Sequence, residues 1–375
     1  MTRRRGLVLL VTAVALGAGA CHSSASNGES NGASNRASPR TTAPTVPHVI
    51  ATGCGATAGR AGPAGVTIPW AQLRNPILSY PATAAKDVGV RIANGRWHFL
   101  FSSVGTPEHW SIGATSSTDL RHWTPLTVWP DQSGTRGLAS PDIVEAPDGT
   151  YVVTYQSNPG DAGGGAAKLY YRTSRDLEQW SRAKPLARAL YPSPDARMID
   201  GALAYTGHGL ILGFKYGLAD GSEKQAFEIA WSPSGSLDGP WQLVGRPTIS
   251  EFGDTFENYE FFRLDGVWHL IATTNTLDRP YLATLAGPPS NPRSWLDWTG
   301  GRVLDIPAEK WNSAPGVSSL THEVANAIYL CDARAIDGHY YVFYAGSAEL
   351  TEFGGWGHAA IGVARSIDLV HWSVP

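Results

Sequence analysis

The sequence predicts an all-β protein, a five-bladed β-propeller, on three observations: a composition rich in turn and aromatic residues, a recurring unit that ends in Trp, and a hairpin signal in each unit. The 375 residues include 42 Gly, 26 Pro, 14 Trp and 14 Tyr. Turn residues and aromatic strand formers at this frequency indicate many short strands joined by turns. Hydrophobic residues make up 42% of the chain, which is enough for a large core and excludes disorder as its main character.

The recurring unit reads Ser-x-Asp-Leu-x-x-Trp. It occurs at 117–123, 174–180 and 366–372, and degenerate copies end at Trp241 and Trp298. The five terminal Trp residues are separated by 57, 61, 57 and 74 residues. A repeat of this period indicates an architecture built from repeated supersecondary units. We expect the Trp side chains that end these units to serve core packing.

A hairpin signal precedes each of these Trp residues. Asn-Gly and Asp-Gly between apolar runs are the strongest short signals for a β-hairpin. The five copies are Asn94-Gly95, Asp148-Gly149, His208-Gly209, Asp265-Gly266 and Asp337-Gly338. Five units of roughly 60 residues, each with a hairpin and later strands, favour small sheets repeated radially around a channel. A β-sandwich would explain the density of turns but not five copies in phase.

The first 21 residues resemble an export signal. Arg3, Arg4 and Arg5 form a basic start, and the apolar run 7–16 is too short to span a membrane as a helix. The small residues before Cys21 resemble a bacterial lipobox, in which that cysteine is acylated; an ordinary signal peptide cut after an Ala is the alternative. We expect an extracellular protein, or one on the outer face of the cell membrane, whose membrane contact is a lipid anchor at Cys21.

Residues 22–65 are rich in Ser, Asn, Ala, Thr, Gly and Pro. Such a segment buries too little apolar surface to offset the entropy of ordering it, so we expect a flexible linker. Large apolar residues return at Val66, and the folded domain is predicted over 66–375. We expect this domain to be a monomer.

Two cysteines remain if Cys21 is acylated. In an oxidising compartment Cys54 and Cys331 can pair in only one way, and we expect a disulfide between them. The alternative is two free thiols, with Cys331 buried in an apolar strand.

Charge and aromatic content narrow the class of partner. Lys and Arg number 29 and Asp and Glu 32, for a formal net charge of −3. This balance disfavours nucleic acid and anionic membrane surfaces, because both select for a basic face. The aromatic surplus favours surfaces that stack on flat ligands such as sugar rings.

Four carboxylates occupy similar places in four of the five units. Asp87, Asp142, Asp200 and Glu257 lie 8, 7, 9 and 9 residues before the hairpin Gly of their units. Similar positions on radially arranged strands converge on the propeller axis, where like charges repel and raise pKa values. Such a cluster indicates a functional site. A simple turn role stays open for Asp142, which lies in Ser-Pro-Asp-Ile.

At these positions the sequence resembles the five-bladed propeller glycoside hydrolases of families 43 and 62. Asn75-Pro76-Ile77-Leu78 followed by Lys86-Asp87 resembles their first-blade entry, and Ser140-Pro141-Asp142-Ile143 their second-blade Ala-Pro-Asp-Ile. Ile199-Asp200 and Phe256-Glu257 resemble their third- and fourth-blade sites. The resemblance covers about 66–375 and implies Asp87 as general base, Asp200 as the residue that orients the acid and tunes its pKa, and Glu257 as general acid.

The sequence departs from the family pattern in places. Val88 follows Asp87 where family 43 often has Pro, and Asn258-Tyr259 follows Glu257 where Gly-Pro or Ala-Pro is common. Glu260 could compete for the acid role, but an offset of three would put it on the opposite strand face, so Glu257 is preferred.

Further residues are candidates for substrate contact. Trp110 and Trp356 lie in loops where they could line the channel mouth, and surface roles are an equal alternative for Lys215 and Arg279. The full set of substrate-binding candidates is Asp142, Trp110, Lys215, Arg279, Trp356 and His358. His322 and His358 are the only candidates for the channel His that holds a metal in some family members. No metal site is assigned, no cofactor is expected to be required, and no clear motif supports a structural calcium.

The resemblance implies an inverting glycosidase that cleaves arabinofuranosyl or xylosyl linkages in a polysaccharide or oligosaccharide. A non-catalytic glycan-binding propeller is the main alternative; enzymes acting on envelope arabinan or on fructosides are others. The Trp-x-x-Asp-Pro nucleophile pattern of the fructoside enzymes is absent around Asp87. The sequence also has no Gly-x-Ser-x-Gly elbow, zinc-spaced Cys/His cluster or phosphate loop.

Overall fold

A computed structural model describes Cys54 and residues 65–105, 109–132, 135–159, 166–223, 225–249, 256–274, 279–312, 326–348 and 358–375. The predicted signal segment with Cys21, and the predicted linker apart from Cys54 and Gly65, lie outside the described residues. Within the described part, no helix is long and apolar enough to cross a membrane.

The described chain forms five small antiparallel sheets. The first contains β1 (Thr83–Ala93), β2 (Arg96–Gly105), β3 (His109–Ser117) and β4 (Thr127–Val128). The second contains β5 (Thr135–Glu145), β6 (Tyr151–Pro159), β7 (Lys168–Ser174) and β8 (Lys184–Pro185). The third contains β9 (Ala196–Tyr205), β10 (Leu210–Leu218), β11 (Ala226–Ser232) and β12 (Gln242–Gly245).

The last two sheets follow the same plan. The fourth contains β13 (Phe256–Leu264), β14 (Val267–Thr274), β15 (Arg279–Leu285) and β16 (Trp298–Val303). The fifth contains β17 (Asn326–Ala333), β18 (His339–Gly346) and β19 (Ala360–Ser366). Helical structure in the described residues is limited to single turns, namely Trp70–Gln72, Arg188–Leu190, Pro292–Leu296, Lys310–Asn312 and Arg334–Asp337.

The five sheets close into a ring. Each first strand contacts the first strand of the next sheet, in the cycle β1, β5, β9, β13, β17 and back to β1. Five apolar clusters fill the spaces between neighbouring sheets, each drawing on two adjacent blades. The predicted five-bladed β-propeller is therefore confirmed, with the first strands lining its axis.

The Ser-x-Asp-Leu-x-x-Trp unit forms the turn after the third strand of a blade. In its first copy the Asp119 carboxylate accepts hydrogen bonds from the amides of Arg121 and His122, and the Ser117 hydroxyl bonds to the same carboxylate. Leu120 adopts a left-handed φ of 60°, and the equivalent Leu177 and Leu369 each adopt 63°. The Ser and Asp side chains thus hold an unfavourable Leu backbone in place, which explains why the motif recurs.

The segment that precedes the first blade lies against the last strand of the fifth blade. Leu78 pairs with Ile361 of β19, and the Asn75 side chain exchanges hydrogen bonds with the backbone of Val363, both 2.9 Å long. This segment supplies the edge that the three-stranded fifth sheet otherwise lacks. Cys54 and Cys331 are joined by a disulfide with a Cα–Cα distance of 5.0 Å, which links residues preceding the first blade to the last blade.

Candidate active site

All five first strands carry a bulge at the same level of the axis. In each, two residues face one residue of the second strand, and the five pairs are 87–88, 140–141, 200–201, 258–259 and 327–328. The first bulge residue is left-handed at Asp87, Ser140, Asp200 and Asn258, with φ between 47° and 55°. Bulges re-aim side chains and are frequent beside active sites. Here they turn polar residues of four blades toward one region of the axis.

The bulges also show that the four predicted carboxylates are not at equivalent positions. Asp87 and Asp200 are the left-handed residues of their bulges, whereas Glu257 precedes its bulge and Asp142 follows its own. Counting residues back from the hairpin Gly therefore did not identify equivalent positions. An offset of one residue changes both the depth and the direction of a side chain. Asp142 lies in a different layer from the other three.

Asp87 is held by donors from three other strands. Its Oδ2 accepts a hydrogen bond of 2.5 Å from the Ser102 hydroxyl and a longer one of 3.5 Å from the Ser140 hydroxyl. Its Oδ1 accepts a hydrogen bond of 3.0 Å from Asn258 Nδ2. The amide of Ser140 donates to Ser102 Oγ at 2.8 Å, which commits the Ser102 proton to Asp87. These contacts fix the orientation of the carboxylate and leave lone pairs for a further donor.

Asp200 is buried behind the other two carboxylates. Its amide donates to Gln156 Oε1 at 3.0 Å. Burial, followed by the negative charges of Glu257 and Asp87, raises the pKa of Asp200 to about 6, and Lys215 and Ser140 oppose this rise. Asp200 therefore changes charge near pH 6, under the direct influence of its neighbours.

Glu257 forms an ion pair with Lys215. Lys215 Nζ lies 3.0 Å from Glu257 Oε2, and the side chains are 7% and 24% exposed. Lys215 comes from β10, the neighbour of the strand that carries Asp200, so its cation serves the carboxylates of two blades. Lys215 was a candidate for binding sugar hydroxyls, with a surface role as an equal alternative; its ammonium is paired with Glu257 and keeps two further donors, so contact with a sugar stays a prediction.

A cleft of about 480 Å³ opens above these residues. Its lining includes Asp87, Asp200 and Glu257, and also the predicted Trp110 and Lys215. Sequence analysis did not single out Arg197, Gln156 or Gln225 as site residues, although they also line the cleft. The cleft thus combines three carboxylates, several hydrogen-bonding groups and an aromatic ring, which suits a polar, ring-shaped ligand.

Asp142 lies below this cleft. It is 7% exposed and lines a separate cavity of about 20 Å³ together with Asp87 and Asp200. Burial raises the pKa of Asp142 to about 7, against the opposing charge of Arg91. The predicted contact between Asp142 and substrate disagrees with this position, because the cavity has room for about one water molecule.

Glu260 is also removed from the cleft, for a reason other than the one expected. The bulge at 258–259 inserts a residue between Glu257 and Glu260, so simple strand alternation does not separate them. Glu260 is instead 2% exposed, and its Oε2 accepts a hydrogen bond of 2.7 Å from the amide of Leu330. Burial and the charge of nearby Asp142 raise its pKa well above the usual value.

The described structure leaves the position of several predicted site residues open and places one of them away from the cleft. Arg279 begins β15, but its side chain lies outside the described residues, as do Trp356 and His322. His358 is described and exposed, and it is not among the residues that line the cleft. In the described part of the chain, no group of three or more His, Cys, Asp or Glu side chains is arranged to hold a metal ion.

This protein resembles known proteins in its three-dimensional structure. No protein-family model and no curated protein sequence matches the chain. Among solved structures, the catalytic domain of a GH62 α-L-arabinofuranosidase from Coprinopsis cinerea has a TM-score of 0.53 at 14% identity, over 77% of this chain and 94% of that one. A thermostable family-43 glycoside hydrolase has a TM-score of 0.52 at 14% identity, over 79% and 95% of the two chains.

A third solved structure comes from work on the GH130 mannoside phosphorylase family and its glycoside hydrolases that target β-1,2 mannosidic linkages. It has a TM-score of 0.53 at 12% identity, over 78% of this chain and 92% of that one. At these identities the likeness shows the fold. The protein is thus a five-bladed β-propeller of the kind found in the GH43 and GH62 glycoside hydrolases.

Proposed function

We propose that this protein is a glycoside hydrolase that inverts configuration at the anomeric carbon. The observation that carries the proposal is the convergence of Asp87, Asp200 and Glu257, from three different blades, on one cleft. Glycoside hydrolysis needs one carboxylic acid and one carboxylate on either side of the scissile bond. The glycoside hydrolases among the structural neighbours support this class of reaction.

In the proposed reaction Glu257 donates its proton to the glycosidic oxygen as the bond from that oxygen to the anomeric carbon breaks. Asp87 takes a proton from a water molecule, and the water oxygen attacks the anomeric carbon from the opposite face. The products are an alcohol and a sugar of inverted configuration. Afterwards Asp87 carries the proton and Glu257 is ionised, so a proton exchange with solvent restores the starting state.

Asp200 and Lys215 assist these two residues. The ion pair of 3.0 Å with Lys215 belongs to the ionised form of Glu257, which proton donation produces, and Asp200 is close enough for the charges of Asp87 and Glu257 to raise its pKa. A third carboxylate beside an acid–base pair separates the protonation states of the two working groups. We assign Asp200 this tuning role, and Lys215 the role of keeping the cluster of negative charge from repelling itself.

The proposed substrate is an arabinofuranosyl or xylosyl linkage in a polysaccharide or oligosaccharide. The GH62 neighbour is an α-L-arabinofuranosidase, and xylan β-1,4-xylosidase from Bacillus halodurans shares the fold with a TM-score of 0.50. Trp110 lines the cleft and offers a ring on which a sugar can stack. We further propose that the protein is exported and anchored through Cys21, which the lipobox-like sequence supports.

A panel of nitrophenyl glycosides, arabinan, arabinoxylan and envelope arabinogalactan tests the proposal. We expect release of arabinose or xylose by the wild-type protein and, on the polysaccharides, a loss of at least about a hundredfold in Asp87→Asn and Glu257→Gln. Asp148→Asn, an exposed carboxylate in a hairpin turn, is the matched control and should retain full activity. Binding of these glycans without turnover by the wild-type protein would favour the glycan-binding alternative.

A further inference from the structure

Asp142 is a buried carboxylate with no hydrogen-bond partner. Both of its oxygens are inaccessible to solvent and neither accepts a hydrogen bond from any described residue. The backbones of Ile143 and Leu203 lie near enough to stabilise its charge, but outside hydrogen-bonding geometry. Buried polar groups in native proteins almost always have a partner, which is often an ordered water. Asp142 therefore requires an explanation that its protein neighbours do not supply.

The charged and titratable groups around Asp142 come from three other strands. Arg91 of β1 acts on it electrostatically, as does Glu260 of β13. Tyr329 of β17 belongs to the same group, but its hydroxyl donates to the carbonyl of Ile143 at 2.7 Å. Glu260 directs one oxygen to the amide of Leu330. Arg91 Nε and one oxygen of Glu260 are themselves without a hydrogen-bond partner among the described residues, and none of the three neighbours bonds to Asp142.

The remaining side of Asp142 faces the small cavity. This cavity of about 20 Å³ is lined by Asp87 and Asp200 as well as Asp142. A cavity holds a water molecule when it has room for about one probe sphere and offers two to four polar partners. Three carboxylates from three blades meet both conditions. One water in this position would donate to Asp142 and to one of the two carboxylates above it.

We propose that Asp142 is a positioning residue, which holds either Asp87 or Asp200 in place from below through a single buried water. The inference rests on the proposed hydrolase function, because it concerns the groups assigned to that reaction. Asp142 touches neither the cleft nor the substrate. It acts by fixing that carboxylate at the floor of the cleft, where a displacement of about 1 Å is enough to lower the rate a hundredfold.

Kinetics of Asp142→Asn test the role. The amide keeps the size of the side chain but changes the hydrogen bond that it offers to the water. We expect kcat to fall by about ten- to a hundredfold with KM nearly unchanged. Burial gives Asp142 a pKa of about 7, so the wild-type rate profile should also contain an inflection near pH 7 that the variant lacks. A wild-type kcat, or a loss confined to KM, would overturn the inference.

The matched control is Glu228→Gln. Glu228 is buried, as Asp142 is, but it lies on β11, bonds to Tyr191 and Arg246, and lines neither cavity. Its substitution should leave kcat and the pH profile unchanged even if thermal stability falls. A loss in the control equal to that in Asp142→Asn would mean that both variants act through stability alone.

A crystal structure of the wild-type protein at high resolution supplies a test that needs no activity. We expect one ordered water within hydrogen-bonding distance of Asp142 and of Asp87 or Asp200. An empty cavity would overturn the inference whatever the variants do. If the wild-type protein hydrolyses no glycoside, the proposed function fails while the water can still be observed. If the wild type is active, Asp87→Asn inactive and Asp142→Asn normal, only the positioning role fails.

Discussion

Asn258 Nδ2 donates a hydrogen bond of 3.0 Å to Asp87 Oδ1, which joins the fourth blade to the first across the propeller axis. Asn258 directly follows Glu257 in the chain, so the backbone that carries the proposed acid also orients the proposed base. The sequence departs here from the Gly-Pro or Ala-Pro of the resembling families. The structure gives the departure a purpose, since Asn tolerates the left-handed φ of 55° and adds a side-chain donor.

Asn258→Gly tests this link between acid and base. Gly accepts the left-handed backbone without strain and removes only the amide donor. We expect kcat to fall by about tenfold, because Asp87 loses an orienting donor, and the melting temperature to fall by several degrees, because a hydrogen bond to a charged group is worth about 1.5–3 kcal/mol. Asn258→Ala should show the same kinetic loss together with lower stability. Unchanged kcat in both variants would show that Asp87 does not depend on Asn258.

Glu257→Ala tests the assignment of the acid. A natural glycoside has a poor leaving group that needs a proton, whereas a dinitrophenolate leaves without help. The variant should therefore lose most of its activity on arabinoxylan or arabinan but retain much more of it on an aryl glycoside. Rates on the two substrate types under the same conditions provide the comparison. Equal losses on the two substrate types would mean that Glu257 is not the general acid. Asp200, whose pKa is raised to about 6, would then be the next candidate for that role.

Lys215→Met tests how the charge of Lys215 sets the pKa of Asp200, and the pH dependence of kcat/KM is the measurement. Burial and the charges of Glu257 and Asp87 raise the pKa of Asp200, Lys215 lowers it, and the net value is about 6. Removing the cation should raise that pKa further, because a carboxylate is harder to ionise without it. If ionised Asp200 is required, the acid limb of kcat/KM, which reports the free enzyme, should lie near pH 6 in the wild type and move to higher pH in the variant.

Lys215→Arg is the control for charge, and its acid limb should stay close to that of the wild type. An acid limb that does not move in Lys215→Met, or that moves to lower pH, would contradict the tuning role of Asp200.

The Cys54–Cys331 disulfide is expected to stabilise the closed ring. It spans a sequence separation of 277 residues, and restraining a long loop is worth about 4–5 kcal/mol at most on the chain-entropy model. Cys331→Ser should lower the melting temperature by several degrees and leave activity at low temperature unchanged, because Cys331 lines neither the cleft nor the small cavity. Alkylation of unfolded, unreduced protein checks the bond directly, and two reactive thiols at Cys54 and Cys331 would exclude it.

The period of the sequence predicted the ring and the blades that supply Asp87, Asp200 and Glu257. It could not predict the layer in which each carboxylate lies, because that depends on bulges that leave no unique residue pattern. Asp87 and Asp200 occupy the left-handed bulge position, yet Ser140 and Asn258 fill the same position in the other blades. Asp142 was consequently grouped with the cleft residues although it lies below them.

Contacts between side chains of different blades could not be predicted from the sequence either. Ser140 of the second blade and Asn258 of the fourth both donate to Asp87 of the first. Neither residue type at its spacing indicates such a contact, because the approach of the two strands depends on how the whole ring closes. The pairing of Lys215 with Glu257 has the same origin, since one lies on the second strand of blade three and the other on the first strand of blade four.

Proton NMR of the first-formed sugar tests the central claim most directly. Inverting enzymes leave room for a water between the base and the anomeric carbon, with their carboxyl groups about 6.5–9.5 Å apart, whereas retaining enzymes keep them about 5–5.5 Å apart. We assign Asp87 and Glu257, from the first and fourth blades, to the single-displacement mechanism. The account predicts that the product appears first in the inverted anomeric form, before mutarotation. A first product of retained configuration, or a trapped glycosyl ester on Asp87, would contradict it.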